Sequence, residues 1–421
     1  MRTIRADPEA IRAAAALKHV ELDLDGLLAL DEQRRKLIRS VEDNKAEQRR
    51  RGKAVGKLSA EERGPELAAL GELKAVIVRE EAELEAAMEA WEALMLRVPS
   101  IPDPAVPAGK DDTENVELRR EGEIPDRGFE LLDHMELGTR LGMIDVERGV
   151  RMSGARFYVL SGAGTLLHRA VLNFAMDHMV KKGFTPMEVP VLVRDPAMVG
   201  TAYFPGGEDQ AYQLEKDNLN LVGTAEVPLT SFRAGEILDP EELPLRFVAQ
   251  SYCFRREAGA GGKDTRGLYR IHQFQKVEQV VVLHADEEAS RAEHMQILEN
   301  SEEVMRALEL PYRVVNVCGG DLGLGQIQKF DIETWMPSRN AYSETHSASR
   351  FHDFQARRLN LRYRDERGNT VFCHTMNNTV AASPRILIPL IEMYQQKDGS
   401  VVVPAVLRPY MGGLEVIEPT A

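Results

Sequence analysis

The chain has 421 residues, 43% apolar and 29% charged, with 53 basic against 67 acidic side chains and a formal net charge of −14. That composition is ordinary for a soluble globular protein of about two domains. The acidic balance excludes a protein that binds nucleic acid over its whole surface, because phosphate neutralisation needs clustered Lys and Arg. No run of about 18 apolar residues occurs and the N-terminus lacks an apolar signal core, so a cytoplasmic protein is expected. Cys253, Cys318 and Cys373 lie far apart with no CxxC pair, and read as reduced core residues.

Residues 27–57 are helix-permissive, rich in charge and free of Pro, as are residues 66–98. They predict two helices of roughly 45 to 50 Å at about 1.5 Å per residue. Gly56, Ser59 and Gly64-Pro65 mark the turn, with Pro65 suited to the first turn of the second helix. Leu70, Ile77, Leu84, Trp91 and Val98 recur every seven residues, Leu67, Met88 and Met95 fall on complementary positions, and Leu27, Leu30, Leu37 and Val41 offer a facing stripe. Two long helices joined by a short turn run antiparallel, which predicts a hairpin arm.

Between Arg34 and Lys57, ten basic residues (Arg34, Arg35, Lys36, Arg39, Lys45, Arg49, Arg50, Arg51, Lys53 and Lys57) stand against three acids, a local charge of +7, whereas the second segment is net acidic. Such runs commonly pair across a hairpin as solvated charges. A +7 helix inside a −14 protein also suits a polyanion, and A-form RNA, read by backbone and shape, suits a rigid basic hairpin. Pro99, Pro102, Pro104 and Pro107 then predict a stiff, extended linker, closing a first domain, 1–110. Over 111–421, helical stretches (Thr165–Lys182, Ala289–Leu308) alternate with β-rich runs (Gln279–Leu283, Tyr312–Val317), an α+β pattern.

The stretch from Phe254 to Glu278 carries the most chemistry. A β-prone run leads in, a loop rich in Gly and charge follows, and an alternating run leads out. This predicts a hairpin with Arg255 near the end of one strand and Arg270, Phe274 and Glu278 on one face of the other at period two. Such a face can present an Arg to a phosphate, a ring to a base and a carboxylate to an ammonium group. Spacing alone does not separate that arrangement from a surface salt-bridge hairpin.

The string FRREAGAGGKDTRGLYRIHQFQKVE, residues 254–278, resembles motif 2 of class II aminoacyl-tRNA synthetases in its seryl form. Gly223-Thr224-Ala225-Glu226 resembles the family's Thr-x-Glu loop. Glu344-Thr345-His346-Ser347, Phe354-Gln355-Ala356-Arg357-Arg358 and Asn377-Asn378-Thr379-Val380-Ala381-Ala382-Ser383-Pro384-Arg385, the last similar to motif 3, follow in the family's order. Residues 167–190 resemble motif 1. The chain is thus similar over its whole length to the seryl-tRNA synthetase family.

That resemblance implies an antiparallel two-helix coiled-coil arm and a catalytic domain with a mixed, mainly antiparallel sheet flanked by helices. It implies activation of L-serine by ATP to seryl adenylate and transfer to tRNA(Ser), with tRNA(Sec) open as a second acceptor. Arg255, Arg385 and Glu344 would be the catalytic set: Arg255 on the α-phosphate, Arg385 on the γ-phosphate, and Glu344 with Ser347 holding Mg²⁺ between phosphates. Phe274 would stack beneath adenine, with Glu257 accepting from its amine, and Arg256, Arg270, Ile271, Thr345 and His346 would complete the ATP site. Thr224, Ala225, Glu226, Glu278 and Thr379 would form the serine pocket. The RNA would lie on Arg34, Arg35, Lys36, Arg39, Lys45, Arg49, Arg50, Arg51 and Lys53. Motif 1 would form a homodimer interface, although Leu167, Val171, Phe174, Ala175 and Met179 equally suit an ordinary buried helix face.

The sequence departs from the family's common pattern at Arg256, Ser343, Ala348 and Asn378-Thr379, and Pro384 and Pro389 predict an irregular start to the motif 3 helix. A ligase that charges a carrier protein would lack the arm, and a silent RNA-binding paralogue would have lost Arg255, Arg270, Glu344 or Arg385. This chain keeps all of these features.

Overall fold

The structure is a computed structural model that describes residues 1–259 and 267–419. Ala260–Arg266, the centre of the Gly-rich loop quoted in motif 2, lies outside the described residues. The chain divides into two units, Met1–Ile101 and Pro102–Ala421.

The first unit is helical: α1 (Arg2–Ala6), α2 (Pro8–Leu17), α3 (Leu24–Val55) and α4 (Ala60–Met95). Asp23 caps α3 by accepting from the Gly26 N–H. α4 starts earlier than its proline suggests, because Ser59 and Glu62 form a reciprocal capping box. Gly64 and Pro65 therefore sit inside the helix, and the turn contracts to residues 56–59. Pro65 removes one intrahelical bond there, and the capping box satisfies donors at the helix start in return.

The seven-residue spacing holds: Ile77 and Val98 are buried, and Leu70, Leu84 and Trp91 are half-buried. The complementary row is 66, 73, 80, 87 and 94, so Leu67 falls outside the seam and is 53% exposed. On α3 the seam includes charged residues. Asp31 is fully buried and pairs with Arg5, Arg34 and Arg35 at 2.8, 2.9 and 3.1 Å. Glu80 of α4 accepts from the Ser40 hydroxyl (2.8 Å) and the Asn44 amide (2.9 Å) of α3. Ile4 and Ile11 of the two short helices join Leu24, Leu27 and Val98 in the core at the base of the hairpin.

The second unit is built on an eight-stranded sheet. Its strands are β1 (Val116–Glu121), β2 (Thr185–Pro186), β3 (Leu245–Phe254), β4 (Gln273–Leu283), β5 (Tyr312–Asn316), β6 (Gln328–Met336), β7 (Ala341–His352) and β8 (His374–Ser383). Their spatial order is β1-β5-β6-β7-β8-β4-β3-β2. All pairings are antiparallel except β2–β3, which is parallel. Helices α5 (Gly162–Lys181), α6 (Glu226–Ser231), α7 (Glu287–Ala307), α8 (Phe354–Leu359) and α9 (Leu387–Tyr394) accompany it.

β4 reads as a continuous apolar run, Val280 to Leu283, because both faces of a central strand are covered. Cys253, Cys318 and Cys373 are free and buried. The Pro-rich stretch after Ile101 is fastened rather than free. The Asp103 N–H donates to the Ile327 carbonyl at 2.8 Å, Asn316 donates to the Ala105 carbonyl, and the Asp103 carboxylate neutralises the fully buried Arg350. A buried guanidinium demands such a partner.

Leu167, Val171, Ala175 and Met179 of α5 are buried in the same core as Val277 and Val281 of β4. That face of the motif 1 helix is therefore used within the protomer, as the ordinary reading of its periodicity has it. Val180, on another side of α5, is 44% exposed.

Candidate active site and basic hairpin

β3 and β4 form the predicted hairpin, with Arg255 directly after β3. β4 begins only at Gln273, so Arg270 precedes the strand and does not share its face. Phe274, Lys276 and Glu278, at period two, all line one cavity. Tyr203, Glu226, Arg255, Glu257, Ile271, Glu344, Thr345, Ser347, Thr379 and Arg385 line it as well.

The phosphate-type end is held by backbone and rings. Arg255 donates through Nε to the Gly223 carbonyl (3.3 Å), with its guanidinium 5.3 Å from the centre of the Phe274 ring. Arg385 donates to the carbonyls of Tyr269 (3.2 Å) and Glu344 (3.1 Å) and lies 4.4 Å from the Tyr269 ring centre. Its Nη1 is 3.9 Å from the Glu344 carboxylate. Burial works against the Glu344 anion, and Arg385, Lys329, Arg255 and Lys276 outweigh it, holding the carboxyl below its usual range. Two fixed forks that remain charged at any physiological pH can grip phosphate oxygens bidentately. Glu344 and Ser347 supply oxygen donors beside them, a set that suits a hard divalent cation shared with phosphates.

The other end is a small polar pocket. Lys276 and Glu278 form a buried ion pair, and the Thr379 hydroxyl lies 3.3 Å from the Lys276 ammonium and donates to Glu278 at 3.4 Å. Glu226 accepts from the Gln355 amide (2.8 Å) and the Tyr203 hydroxyl (3.3 Å). Its own burial and the neighbouring Glu278 push the Glu226 carboxyl up to about 7.

Five of the expected site residues have side chains that do not line the cavity. The Thr224 hydroxyl accepts from the Glu226 N–H at 3.2 Å, and Ala225 packs in the core with Leu229 and Phe247. Arg256 is exposed, and Arg270 pairs with Glu257 at 3.3 Å. His346 contacts the Thr345 hydroxyl and the Val380 carbonyl, and burial pushes its imidazole down to about 4, so it is a neutral core group. The register explains this: Thr345 is an extra residue in β7 between the pairs Ile332–His346 and Glu333–Glu344, so the alternation breaks there.

Asn378 is fully buried and donates to the Ile297 carbonyl and the Ser301 hydroxyl of α7, away from the cavity. Its departure from the family pattern is a packing matter. Lys276, Tyr203 and Asn377 were missed by the sequence reading. Lys276 had a signal, since it shares the parity of Phe274 and Glu278. Tyr203 had none, because it arrives from a loop far upstream.

The basic residues of α3 divide into two groups. Arg34 lies 4.4 Å from the Trp91 ring centre and pairs with Asp31, and Arg51 forms a two-bonded pair with Glu66 of α4. Both are occupied inside the hairpin, as is much of Lys45 through Glu81. Arg35 pairs with Asp31, Lys36 with Glu32 and Arg50 with Glu47. Arg39, Arg49 and Lys53 are exposed and make no ion pair among the described residues.

A β-hairpin carrying Arg255 and Phe274, a neighbouring strand carrying Glu344 and an arginine after β8, all on an antiparallel sheet, define the catalytic core of a class II aminoacyl-tRNA synthetase. Residues 211–394 match the family model described as tRNA synthetase class II core domain (G, H, P, S and T), and residues 1–102 match the seryl-tRNA synthetase N-terminal domain. The chain is 49% identical to the serine–tRNA ligase of Deinococcus radiodurans, over 99% of this chain and 98% of that one. It is 43% identical to that of Rubrobacter xylanophilus, over 100% and 99%. Among solved structures, seryl-tRNA synthetase from Pyrococcus horikoshii complexed with ATP superposes with a TM-score of 0.92 at 36% identity, covering 100% of this chain and 99% of that one. The cytoplasmic enzyme from Naegleria fowleri in complex with AMP gives 0.86 at 30% identity, covering 99% and 96%. The chain belongs to the seryl-tRNA synthetase family, and its activity is that of a serine–tRNA ligase.

Proposed function

We propose that the cavity joins L-serine to ATP, with Arg255 on the α-phosphate, Arg385 on the γ-phosphate and Phe274 beneath the adenine, and that the product is passed to tRNA(Ser). The observation that supports this assignment most is the convergence of two arginine forks, one aromatic face and two buried carboxylates on a single cavity. The serine carboxylate attacks the α-phosphorus and pyrophosphate leaves. A terminal ribose hydroxyl of the tRNA then attacks the adenylate carbonyl and releases AMP. Neither step requires a dedicated side-chain base, and alignment with charge neutralisation supplies the rate.

Glu226 receives the substrate ammonium group. Glu278, held by Lys276, meets the substrate hydroxyl with Thr379 beside it. Alanine is disfavoured because it leaves these buried polar groups unpaired. Glu344 and Ser347 would hold Mg²⁺, which neutralises phosphate charge when bound. Arg39, Arg49, Lys53 and the exposed members of the α3 run contact the RNA backbone. The enzyme works in the cytoplasm as a homodimer through the region of residues 167–190. No helix among the described residues is long and apolar enough to cross a membrane.

Serine-dependent ATP/pyrophosphate exchange on the full-length chain tests the assignment. Exchange supported better by glycine, alanine or threonine than by serine would overturn the pocket, and exchange with none of them would overturn the chemistry. Sedimentation at micromolar concentration tests the dimer.

A further inference from the structure

Gln355 is fully buried and reaches no part of the cavity, yet it is bonded at both ends of its amide. Its Nε2 donates to Glu226 Oε1 at 2.8 Å, and its Oε1 accepts from the Thr375 hydroxyl at 2.7 Å. Thr375 is also fully buried and sits on β8, while Gln355 is on α8 and Glu226 begins α6. Three elements distant in sequence thus meet in one chain of hydrogen bonds that ends on a carboxylate of the cavity wall.

The direction of the chain matters. Thr375 donates to the amide oxygen, which fixes the amide so that its N–H points to Glu226, and each bond polarises the next. Tyr203 donates to the other oxygen of Glu226. Both neighbours are donors, so both favour the anion and fix the plane of the carboxylate. An apolar replacement would leave a buried anion short of a donor, with Glu278 close by and Lys276 already engaged.

We propose that Gln355, backed by Thr375, is a positioning residue for the amino-acid substrate: it holds the Glu226 carboxylate oriented to receive the ammonium group. This rests on the assignment of Glu226 to the serine pocket. The groups facing Glu226 are Tyr203 from the upstream loop, Glu278 and Lys276 from β4, and Gln355 from α8. Binding of the ammonium group requires the carboxylate, so kcat/KM for serine rises with pH through the Glu226 titration. Removing a donor to the anion moves that limb to higher pH.

The test is serine-dependent ATP/pyrophosphate exchange on the full-length chain and on Gln355→Met, Thr375→Val and Thr375→Ser. The expected result for Gln355→Met is a KM for serine raised roughly tenfold or more, the scale of one hydrogen bond to a charged group, with KM for ATP within about twofold. The acid limb of kcat/KM for serine moves to higher pH. Thr375→Val shifts both readouts in the same direction by less, and Thr375→Ser restores them.

Unchanged serine KM and an unmoved limb in Gln355→Met would overturn the inference. So would a parallel rise in both KM values, the mark of a purely structural role. If Gln355→Met does not fold, the contrast between Thr375→Val and Thr375→Ser decides in the same way. A wild-type chain that fails to exchange with serine removes the assignment of the pocket, and the inference falls with it. A wild type that exchanges while the variants behave alike removes the inference alone.

Discussion

Lys276 and Glu278 project into the cavity from alternate residues of β4 and neutralise one another there, with the Thr379 hydroxyl within 3.4 Å of both. The pair fills the floor of the pocket with one fixed acceptor and one fixed donor. It also keeps two carboxylates, Glu226 and Glu278, from facing each other unscreened.

Replacing Lys276 by Met leaves Glu278 buried without its counter-charge. Breaking such a pair costs about 3 to 5 kcal/mol, so Lys276→Met should lower the melting temperature by several degrees and weaken serine binding. Adding Glu278→Gln should recover much of the stability but not the serine KM. Thermal melts and exchange kinetics on the single and double variants check this.

Glu226 gives a second, pH-dependent expectation. Its folded-state carboxyl lies near 7, above the unfolded value near 4.5, so its contribution to stability is complete below about pH 4.5 and is lost as pH rises through about 7. Glu226→Gln should therefore match wild type at acid pH and be more stable at pH 8, by about 3 kcal/mol at most from the size of that shift. Serine-dependent exchange should be lost at both. Denaturant melts across the range would show whether the two stability curves diverge in that direction.

Much of this site was legible in the sequence, for identifiable reasons. The period of two placed Phe274 and Glu278 together because β4 is regular there, and it would have placed Lys276 with them. It failed at Arg270, which precedes the strand; His346, which the resemblance alone put in the ATP site, is turned into the core where one extra residue in β7 breaks the alternation. The seven-residue repeat located the hairpin seam, but Leu67 was misassigned because the complementary row is filled partly by Glu66 and Glu80. A charged residue in a seam carries no apolar signal. The Gln355–Glu226 bond joins positions 129 residues apart and leaves no local pattern.

Removal of divalent metal should abolish exchange without unfolding the chain. EDTA should stop the reaction, Mg²⁺ should restore it, and the melting temperature should stay constant, since among the described residues no group of three or more His, Cys, Asp or Glu forms a metal cage. Glu344→Gln should raise the Mg²⁺ concentration needed for half-maximal activity. A melting temperature that falls with EDTA would point to a structural ion instead.

Reversal of Arg39, Arg49 and Lys53 to Glu in the full-length chain should leave serine-dependent exchange unchanged and weaken tRNA binding. Each phosphate that is no longer neutralised should reduce the slope of log affinity against log salt by about 0.7 to 0.9. Arg34→Ala should behave differently, lowering the stability of the first unit through Trp91 and Asp31. Titrations at several salt concentrations separate the two classes.

Glu80 also fixes how the two long helices line up. Its two oxygens accept from Ser40 and Asn44, one turn apart on α3, so a single carboxylate of α4 ties down two successive turns of the facing helix. A substitution at Glu80 would untie both turns at once and loosen the hairpin without removing a single positive charge from α3.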